Sequence, residues 1–567
     1  MYNIDAVDIS RGPNSNLFGL GASAGTVNLV PSMANVNRAT SSVSLRLDDW
    51  GGHRESLNLN RPLIPGKLAF RVAAVHESKG FTRKPSSERI DRIYSTVTAK
   101  PFKNTQITAS FERYDNFYRR PNSLTPRDTA VEWRAAGSPS WDPTTQMVTL
   151  GNGTRVGPFP VGSGATAENI TLPAGLMSGG NIYNRHIAFI ENNNVQFLTV
   201  GRTGNPITSG TPSPYTVNSN VRYLETGTHL MRYKANLYPL FFQPAIRDKS
   251  IYDWEKINYI APNFGEDKAL TYSAQLEQTF LKTDEHLIAG RVGWFRQDFE
   301  RDNRQFIDST DTVIYVDVNE KLLDGSPNPY FRRPYVQTVG PVRVRTPEDS
   351  DTQSADLAYQ FTPRNLPRWL SWINTQRLGS HWETVRYDTT NYRSSSYISD
   401  DHAWTNRANR TGVSQLTQRF YVGDAVGQNL DYAPSAIESI SGNYNLRWFN
   451  NLTGQWVNEP VRVDDLAIIG TTKRREEIRT INATLQSFFF KDRLVTTYGW
   501  RRDRRRERTT QGVAVDPTTG LVSYNNLNIF NAWTDDQGPV VRASQRGDTK
   551  TLGAVVKPLS WLNLHYN

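Results

Sequence analysis

The sequence predicts an all-β fold, in particular a transmembrane antiparallel β-barrel, and three observations lead to it. From about Ser41 onward, apolar and polar residues alternate with a period of two, which is typical of strands with one apolar and one polar face. Short turns alternate with long polar stretches along the chain. The mean hydropathy of −0.57 and the lack of any run of about 20 apolar residues exclude a membrane-spanning helix but not a barrel, whose apolar band lies in alternate residues.

The individual strands follow from this alternation. It is clearest from Leu270 to Phe280 and is also regular from Thr105 to Tyr114. Residues 481 to 500 read as a hairpin that turns at Lys491-Asp492-Arg493. We count about 15 strand candidates, against about 22 in a plugged outer-membrane transporter. The last candidate, Leu562 to Tyr566, has no partner after it.

The connections between strands are of two kinds. The long ones are rich in Asn, Tyr, Arg, Pro and Gly and run roughly over residues 116 to 267, 301 to 350, 391 to 435 and 509 to 547. Outer-membrane barrels have this asymmetry, with short periplasmic turns and long extracellular loops, and 25 Tyr and 14 Trp can supply their aromatic girdles. Alternation alone does not say which face points outward, so a soluble β-sandwich with its apolar face inward stays an alternative.

The charge balance does not favour nucleic acid as a partner. The formal net charge is +10, but the basic residues are spread along the chain, and only Arg501 to Arg508 forms a dense run. We interpret that run as a solvated strand end or loop on which a lipopolysaccharide phosphate or another anionic ligand could sit. The absence of Cys excludes disulfides, thiolate metal sites and Cys nucleophiles.

No motif in the sequence indicates catalysis or cofactor binding. The Gly-rich segment Gly19 to Gly25 is followed by a strand and not by the helix that a dinucleotide-binding loop requires. His381 and Glu383 resemble the start of a deaminase zinc site, which needs cysteines. Asp317 to Glu320 resembles the start of a calcium loop, but Leu322 stands where Gly is required. We therefore expect no catalytic residues, no metal ligands and no cofactor.

The segment from Ile4 to Val30 carries the one specific motif of the chain. It reads as strand, Gly-Pro turn, Gly-rich loop and strand, and it resembles the C-terminal signature of the plug domain of TonB-dependent outer-membrane receptors. The residues that carry the resemblance are Arg11, Gly12, Pro13, Ser15, Phe18, Gly19, Gly21 and Gly25. Their role is structural, because the glycines allow tight turns against a barrel wall.

The resemblance implies both an architecture and a function. Residues 1 to 38 would be the C-terminal part of the plug, lying in the lumen, and residues 39 to 567 an incomplete barrel truncated at its C-terminus. The function would be that of a receptor in the cell outer membrane for TonB-coupled uptake of a scarce nutrient, such as a ferric siderophore, cobalamin or an oligosaccharide. Its partners would be outer-membrane lipid and lipopolysaccharide, the TonB complex and a small-molecule or metal-chelate ligand, whose contact residues the sequence does not identify.

Two further expectations concern Arg11 and the chain ends. Arg11 matches a plug arginine that pairs with carboxylates of the barrel wall, so we expect a lumen-facing Glu partner, the alternative being that Arg11 faces lumen water. The first 30 residues lack a secretory signal, so we expect a fragment without the signal peptide and the TonB-coupling segment. The competing class is a soluble, secreted, β-rich carbohydrate-binding protein or glycoside hydrolase, with aromatic residues along a sugar groove and a catalytic carboxylate pair.

Overall fold

Strands dominate the computed structural model of the protein, as the sequence predicts. The structure describes residues 2–11, 25–122, 124–159, 172–178, 186–191, 194–196, 223–226, 253, 255–307, 312–338, 341–402, 405, 416–422, 434, 437–450, 453, 455–510, 516, 522, 540–559 and 562–566. Among these residues, no helix has the length and the hydropathy that crossing a membrane requires.

The elements follow one another along the chain in alternating groups of long and short strands. The first group is β1 (Ile4–Arg11), β2 (Gly25–Pro31), β3 (Thr40–Leu47), β4 (His53–Ile64), β5 (Leu68–Lys79), β6 (Ser87–Ala99) and β7 (Thr105–Arg119). Short elements follow: β8 (Arg127–Asp128), α1 (Ala130–Ala135), β9 (Ser140–Asp142), β10 (Met147–Thr149), β11 (Arg155–Val156), β12 (Leu176–Ser178), β13 (His186–Glu191), β14 (Asn194–Gln196) and β15 (Leu224–Thr226). Next come β16 (Phe264–Lys282), β17 (His286–Arg304), β18 (Val313–Val316), β19 (Pro334–Thr338), β20 (Pro341–Phe361), a 3₁₀ helix (Arg368–Leu370) and β21 (Ile373–Ile398). The last group is β22 (Leu416–Tyr421), β23 (Gly442–Asn450), β24 (Gln455–Phe489), β25 (Leu494–Thr510), β26 (Val540–Leu559) and β27 (Leu562–Tyr566).

Fourteen of these strands form one antiparallel sheet, which we call the wall. Its order is β27-β26-β25-β24-β21-β20-β17-β16-β7-β6-β5-β4-β3, and β23 adds to β24. Along this path each strand pairs with the next long strand of the chain, as in an up-and-down barrel. The predicted antiparallel all-β fold is therefore confirmed, and 14 wall strands in the described part of the chain lie close to the 15 predicted.

The two ends of the wall differ in the length of their connections. At one end the turns are short, as between β24 and β25, where Phe490, Lys491 and Asp492 all have positive φ. The turn predicted at Lys491-Asp492-Arg493 is therefore confirmed. At the other end, long connections follow β7, β17, β21 and β25. We call these the short-turn end and the long-loop end.

The wall is apolar on its outward face. Residues paired directly across neighbouring strands share a face, and one such row consists of Ile107, Leu276, Val292, Ala355, Trp382 and Ile481. Most of the large side chains of this row, such as Val292 and Trp382, are exposed. No described residue covers this face, so the predicted alternative of a sandwich, in which a second sheet would cover it, is wrong. Exposed apolar residues on alternate positions of long strands are what a lipid-facing barrel surface requires.

The long connections build a second, smaller structure, which we call the cap. Its six-stranded sheet has the order β14-β13-β22-β19-β18-β8, in which β13 and β22 run parallel although 230 residues separate His186 from Leu416. Its core is apolar and fully buried, with Trp141, Phe306 and Phe420 at its centre. The stretches predicted only as polar loops thus contain an ordered core that the sequence analysis did not anticipate.

Strands β1 and β2 form the N-terminal hairpin, which lies apart from the wall sheet. The segment after it is fixed to the short-turn end, where the Asn60 side chain accepts from the Asn35 amide at 2.8 Å and donates to the Asn35 and Arg38 carbonyls. Ala34, Val36 and Ala69 pack together beside these bonds. The wall therefore holds the base of the hairpin.

Candidate functional site

The N-terminal hairpin meets the inward face of the wall through polar contacts. Tyr2 Oη donates to Glu112 Oε1 at 2.7 Å, and Asn3 Nδ2 donates to Glu112 Oε2 at 3.1 Å. Arg71 Nη1 lies 3.2 Å from Asp5 Oδ1. One carboxylate of the wall and one of the hairpin therefore each bind across this interface.

The buried part of this contact runs through Tyr94. Its hydroxyl donates to the Ser32 carbonyl at 2.8 Å, and Ser32 Oγ donates to Asp5 Oδ1 at 2.6 Å. Tyr94 pairs with Glu112 in register, so both side chains point inward from neighbouring strands. The same alternation that directs apolar residues outward thus places hydrogen-bonding groups against the hairpin.

Most residues of the motif predicted between Ile4 and Val30 lie outside the residues that the structure describes. Gly12 to Gly21, and with them Pro13, Ser15, Phe18 and Gly19, lie outside the described residues, and so does the side chain of Arg11, whose backbone pairs with Gly25 at the end of the hairpin. The predicted Glu partner of Arg11 stays a prediction. The ion pair that the structure shows has the reverse polarity: the arginine, Arg71, belongs to the wall and the carboxylate, Asp5, belongs to the hairpin. The sequence did not predict this pair. Its signal was an arginine between Ala69 and Ala73 on a face of small residues.

A cavity of about 380 Å³ lies at the long-loop end of the wall. Its lining includes Tyr118, Arg120, Phe264, Asn303 and Arg304. Arg120 stacks 4.1 Å from the centre of the Tyr118 ring, and Tyr118 Oη donates to Asn303 at 2.6 Å. The Tyr118 ring lies across Gly265, where a Cβ would be 2.3 Å from the ring, so only glycine permits this approach.

Two arginines lie beside the Phe264 ring: Arg304, which lines the cavity, and Arg119 on the neighbouring strand. The guanidinium groups of Arg119 and Arg304 each lie 5.2 Å from the centre of the Phe264 ring. Both also donate to Glu438, Arg119 to its carboxylate at 3.2 Å and Arg304 to its carbonyl at 2.5 Å. Arg119 Nη1 and Arg304 Nε are buried without an acceptor among the described residues. We call Arg119, Arg304 and Phe264 the arginine–aromatic site; its two cations and its aromatic ring suit a planar or anionic guest.

The cap holds a buried ionic cluster next to its apolar core. The Arg419 guanidinium is fully buried, lies 3.2 Å from Asp317 and stacks 4.1 Å from the centre of the Tyr335 ring. Tyr421 Oη donates to the same Asp317 oxygen at 2.5 Å. Asp317, which the sequence analysis compared with a calcium loop, therefore serves as the counter-ion of Arg419.

The pKa values of two other cap carboxyl groups are shifted in opposite directions. Burial raises the pKa of Glu225 to about 7, against a smaller lowering by Arg419 and by the Gln337 amide that donates to it at 2.6 Å. At Asp142 burial acts in the same direction, but Lys321 at 2.8 Å and the hydroxyl and amide of Thr144 hold the pKa below its usual range. Within the described residues, no group of three His, Asp or Glu could hold a metal ion.

Comparisons with known proteins found a similarity in sequence over part of the chain. No family model matches the chain. Over 89 residues it is 37% identical to the metal-pseudopaline receptor CntO of Pseudomonas aeruginosa, a match that covers 15% of this chain and 12% of that receptor. The chain is thus similar in sequence to a metal-pseudopaline receptor over a limited segment.

Solved structures similar to the chain are also receptors. They include the ferric preacinetobactin receptor BauA of Acinetobacter baumannii (9% identity, TM-score 0.44, covering 99% of this chain and 52% of that one). Others are the ferric-catecholate import receptor Fiu of E. coli (10%, TM-score 0.46, 99% and 59%) and the ferripyoverdine receptor of the Pseudomonas aeruginosa outer membrane (12%, TM-score 0.45, 98% and 45%). The chain spans about half the length of these receptors.

The wall, with its outward apolar face and inward polar face, has the architecture of a transmembrane β-barrel, as the sequence predicts. The chain resembles the TonB-dependent receptors, as the sequence predicts. The proteins that it resembles are transport receptors and not enzymes.

Proposed function

We propose that the protein is an outer-membrane receptor that takes up a metal chelate by TonB coupling. The wall spans the outer membrane, with its short-turn end toward the periplasm and its long-loop end toward the outside. Residues 1–38 belong to a plug and residues 39–567 to the barrel. The chelate enters from the long-loop end, and movement of the plug lets it pass.

The observation that carries the proposal is the arginine–aromatic site at the long-loop end. Ferric chelates combine a metal with anionic or aromatic ligand groups, and the two guanidinium groups of Arg119 and Arg304 beside the Phe264 ring supply a positive charge and an aromatic surface that fit both. The hairpin contacts to Arg71 and Glu112 support a plug role, because a few exchangeable polar contacts hold an element that must later move.

The remaining parts of the proposal follow the resemblance. The motif residues Gly12, Gly19, Gly21 and Gly25 form turns against the wall, and Arg11 pairs with a lumen carboxylate. The TonB complex acts on the plug, and outer-membrane lipid with lipopolysaccharide surrounds the wall. No step of this function requires a catalytic residue or a cofactor.

The experiment is uptake of radiolabelled ligands by cells in which the chain is expressed behind the signal peptide and TonB-coupling segment of a known receptor, with and without a functional TonB complex. The panel contains ferric catecholate, hydroxamate and citrate chelates, a nickel or zinc chelate, cobalamin and an oligosaccharide. We expect TonB-dependent uptake of one metal chelate. For a variant with Arg119→Gln and Arg304→Gln, we expect affinity for that chelate to fall by about 100-fold, since two charge-assisted hydrogen bonds are lost.

Arg113→Gln is the matched control, because Arg113 lies on the same face of β7 as Arg119, six residues earlier, and pairs only with Asp115 among the described residues. It should bind the chelate as the wild type does. Uptake of cobalamin or the oligosaccharide alone, or uptake that does not need TonB, would contradict the proposal.

A further inference from the structure

The outward face of β24, β25 and β26 carries a dense set of arginines toward the long-loop end. Arg479, Arg504 and Arg546 are directly paired across the three strands. Arg475, Arg508 and Arg542 form a second such row, four residues further along each strand. We call the two rows, together with Arg506 between them, the arginine array.

The alternation of β25 shows that the array points away from the lumen. Arg501 and Asp503 are buried on the inward side and bind each other at 2.9 Å. Arg504, Arg506 and Arg508, on the intervening positions, are exposed. The dense run predicted as a solvated strand end or loop is thus a strand whose charges divide between two faces.

The array begins where the apolar band ends. Toward the short-turn end, the same outward face of these strands carries the exposed side chains of Ile481, Leu485, Tyr498 and Leu552. A lipid-facing band followed by a cluster of cations places that cluster at the level of the lipid headgroups.

Most of the array has no counter-ion among the described residues. Arg479, Arg504, Arg506 and Arg508 make no hydrogen bond or ion pair with any described residue. Glu477, which pairs in register with Arg506, lies within the array but forms no ion pair within 4 Å among the described residues. Directly opposed like charges destabilise a sheet, so the array favours the binding of further anions.

Members at the edges of the array are partly compensated. Arg546 lies 3.4 Å from Asp548, which also pairs with Arg502 at 2.6 Å, and Arg475 binds Asp388 at 2.5 and 2.8 Å. The excess positive charge is therefore centred on β25.

The charge is local and not a general feature of the outward rim. The row of Arg475 and Arg508 continues on the neighbouring strands as Asp388, Asp349 and Asp298. An anionic lipid would be repelled there and attracted only to the array. Charge complementarity therefore favours the binding of an anion at the array and not on the neighbouring strands.

We propose that the arginine array binds phosphate groups of a lipopolysaccharide headgroup in the outer leaflet. The inference rests on the proposed function, which places the wall in the outer membrane. Guanidinium groups bind phosphate in a bidentate manner, and four strand residues separate the two rows by about 13 Å, so one headgroup with two phosphates reaches both.

The test measures binding of bisphosphorylated lipid A to the purified full chain in detergent, by tryptophan fluorescence and by the phosphate that co-purifies. The array variant combines Arg504→Gln, Arg506→Gln and Arg508→Gln. We expect its affinity for lipid A to fall by about 100-fold or more, because up to three charge-assisted contacts are lost. Wild-type binding should weaken as salt increases.

The matched control removes three outward arginines that have partners, by Arg89→Gln, Arg113→Gln and Arg296→Gln. It changes the net charge equally and should keep wild-type affinity. Equal loss in both variants would overturn the site and leave only a general charge effect. Unchanged folding of the array variant is checked by heat-modifiable gel mobility, since relief of repulsion should not weaken the strand.

Two other ligands separate the possible sources of phosphate. Dephosphorylated lipid A should bind at least about tenfold more weakly, since the charge-assisted contacts are absent. Inorganic phosphate should not compete at millimolar concentration; full competition would overturn the lipid assignment in favour of a free anion. Chelate uptake is measured separately, so its failure would overturn the proposed function while the lipid measurement on purified protein still decides the array.

Discussion

The wall and the cap place their apolar residues on opposite sides. In the wall, Val292 and Leu357 lie exposed on the outward face, while Arg71 and Glu112 point to the interior. In the cap, Trp141 is fully buried at the centre of an apolar core. The chain therefore combines an apolar surface that suits contact with lipid and an apolar core that is shielded from water.

The exposure of an apolar residue therefore has to be judged against the solvent that surrounds its region. Hydrophobic burial drives the cap to collapse, as in any soluble domain. In the wall, the same driving force is satisfied by lipid outside, and the interior is free to carry polar contacts with the hairpin. Substitutions of one chemical type should therefore have different effects in the two regions.

The largest difference is expected for carboxylates paired with arginine. Asp317→Ala leaves the fully buried Arg419 without its counter-ion, which should destabilise the cap by about 3–5 kcal/mol. Asp115→Ala removes the partner of Arg113 on the exposed outward face and should have no measurable effect. Hydrogen exchange of the cap strands, with denaturant unfolding, gives both values. Equal losses would remove the distinction between the two regions.

The next largest effect tests the lipid-facing side directly. Val292→Arg places a charge in the apolar band, where it should cost about 2–4 kcal/mol in lipid vesicles. Thr352→Arg places the same charge on the opposite face of the neighbouring strand and should cost much less. Guanidinium unfolding in vesicles measures both. If Thr352→Arg proved the costlier of the two, the inside and the outside of the wall would have to be exchanged.

A third effect, specific to the cap, depends on pH. The pKa of Glu225 is about 7 in the folded state, above the ordinary value of 4.5, so the folded protein holds a proton there that the unfolded chain has lost. Stability from this group is therefore complete below pH 4.5 and is lost as the pH rises through about 7, by up to about 3 kcal/mol.

Glu225→Gln removes this titration, so the difference in cap stability between wild type and variant should change between pH 5 and pH 8. Thermal unfolding at these two pH values measures it. A constant difference across that range would show that Glu225 titrates normally.

The wall could be predicted from local sequence, and the cap could not. The alternation from Leu270 to Phe280 lies within β16, and the turn at residues 491–493 was found in place, because strand periodicity and turn chemistry act over a few residues. The cap strands are two to six residues long, and β13 meets β22 across 230 residues. No local pattern encodes such a pairing.

The candidate site was less predictable than the fold for the same reason. The predicted motif described the hairpin itself, whereas its contacts join Asp5 to Arg71 and Tyr2 to Glu112, more than 60 and 100 residues away. The arginine–aromatic site likewise combines β7 with β16 and β17. Each of these residues has an ordinary place in its own strand, and only the register of the wall brings them together.

The smallest effect concerns the inward face, where wall and hairpin meet. Tyr94→Phe removes the hydroxyl that donates to the buried Ser32 carbonyl, which should cost about 1 kcal/mol. The loss should appear as faster hydrogen exchange, by about fivefold, at the Ser32 amide, which bonds to the Asn3 carbonyl at 2.8 Å. Tyr114→Phe is the matched control, because Tyr114 shares the inward face but makes no hydrogen bond through its hydroxyl to any described residue. Exchange that rises equally in both variants would mean that the Tyr94 hydroxyl does not hold the hairpin, and the wall would then retain it through Arg71 and Glu112 alone.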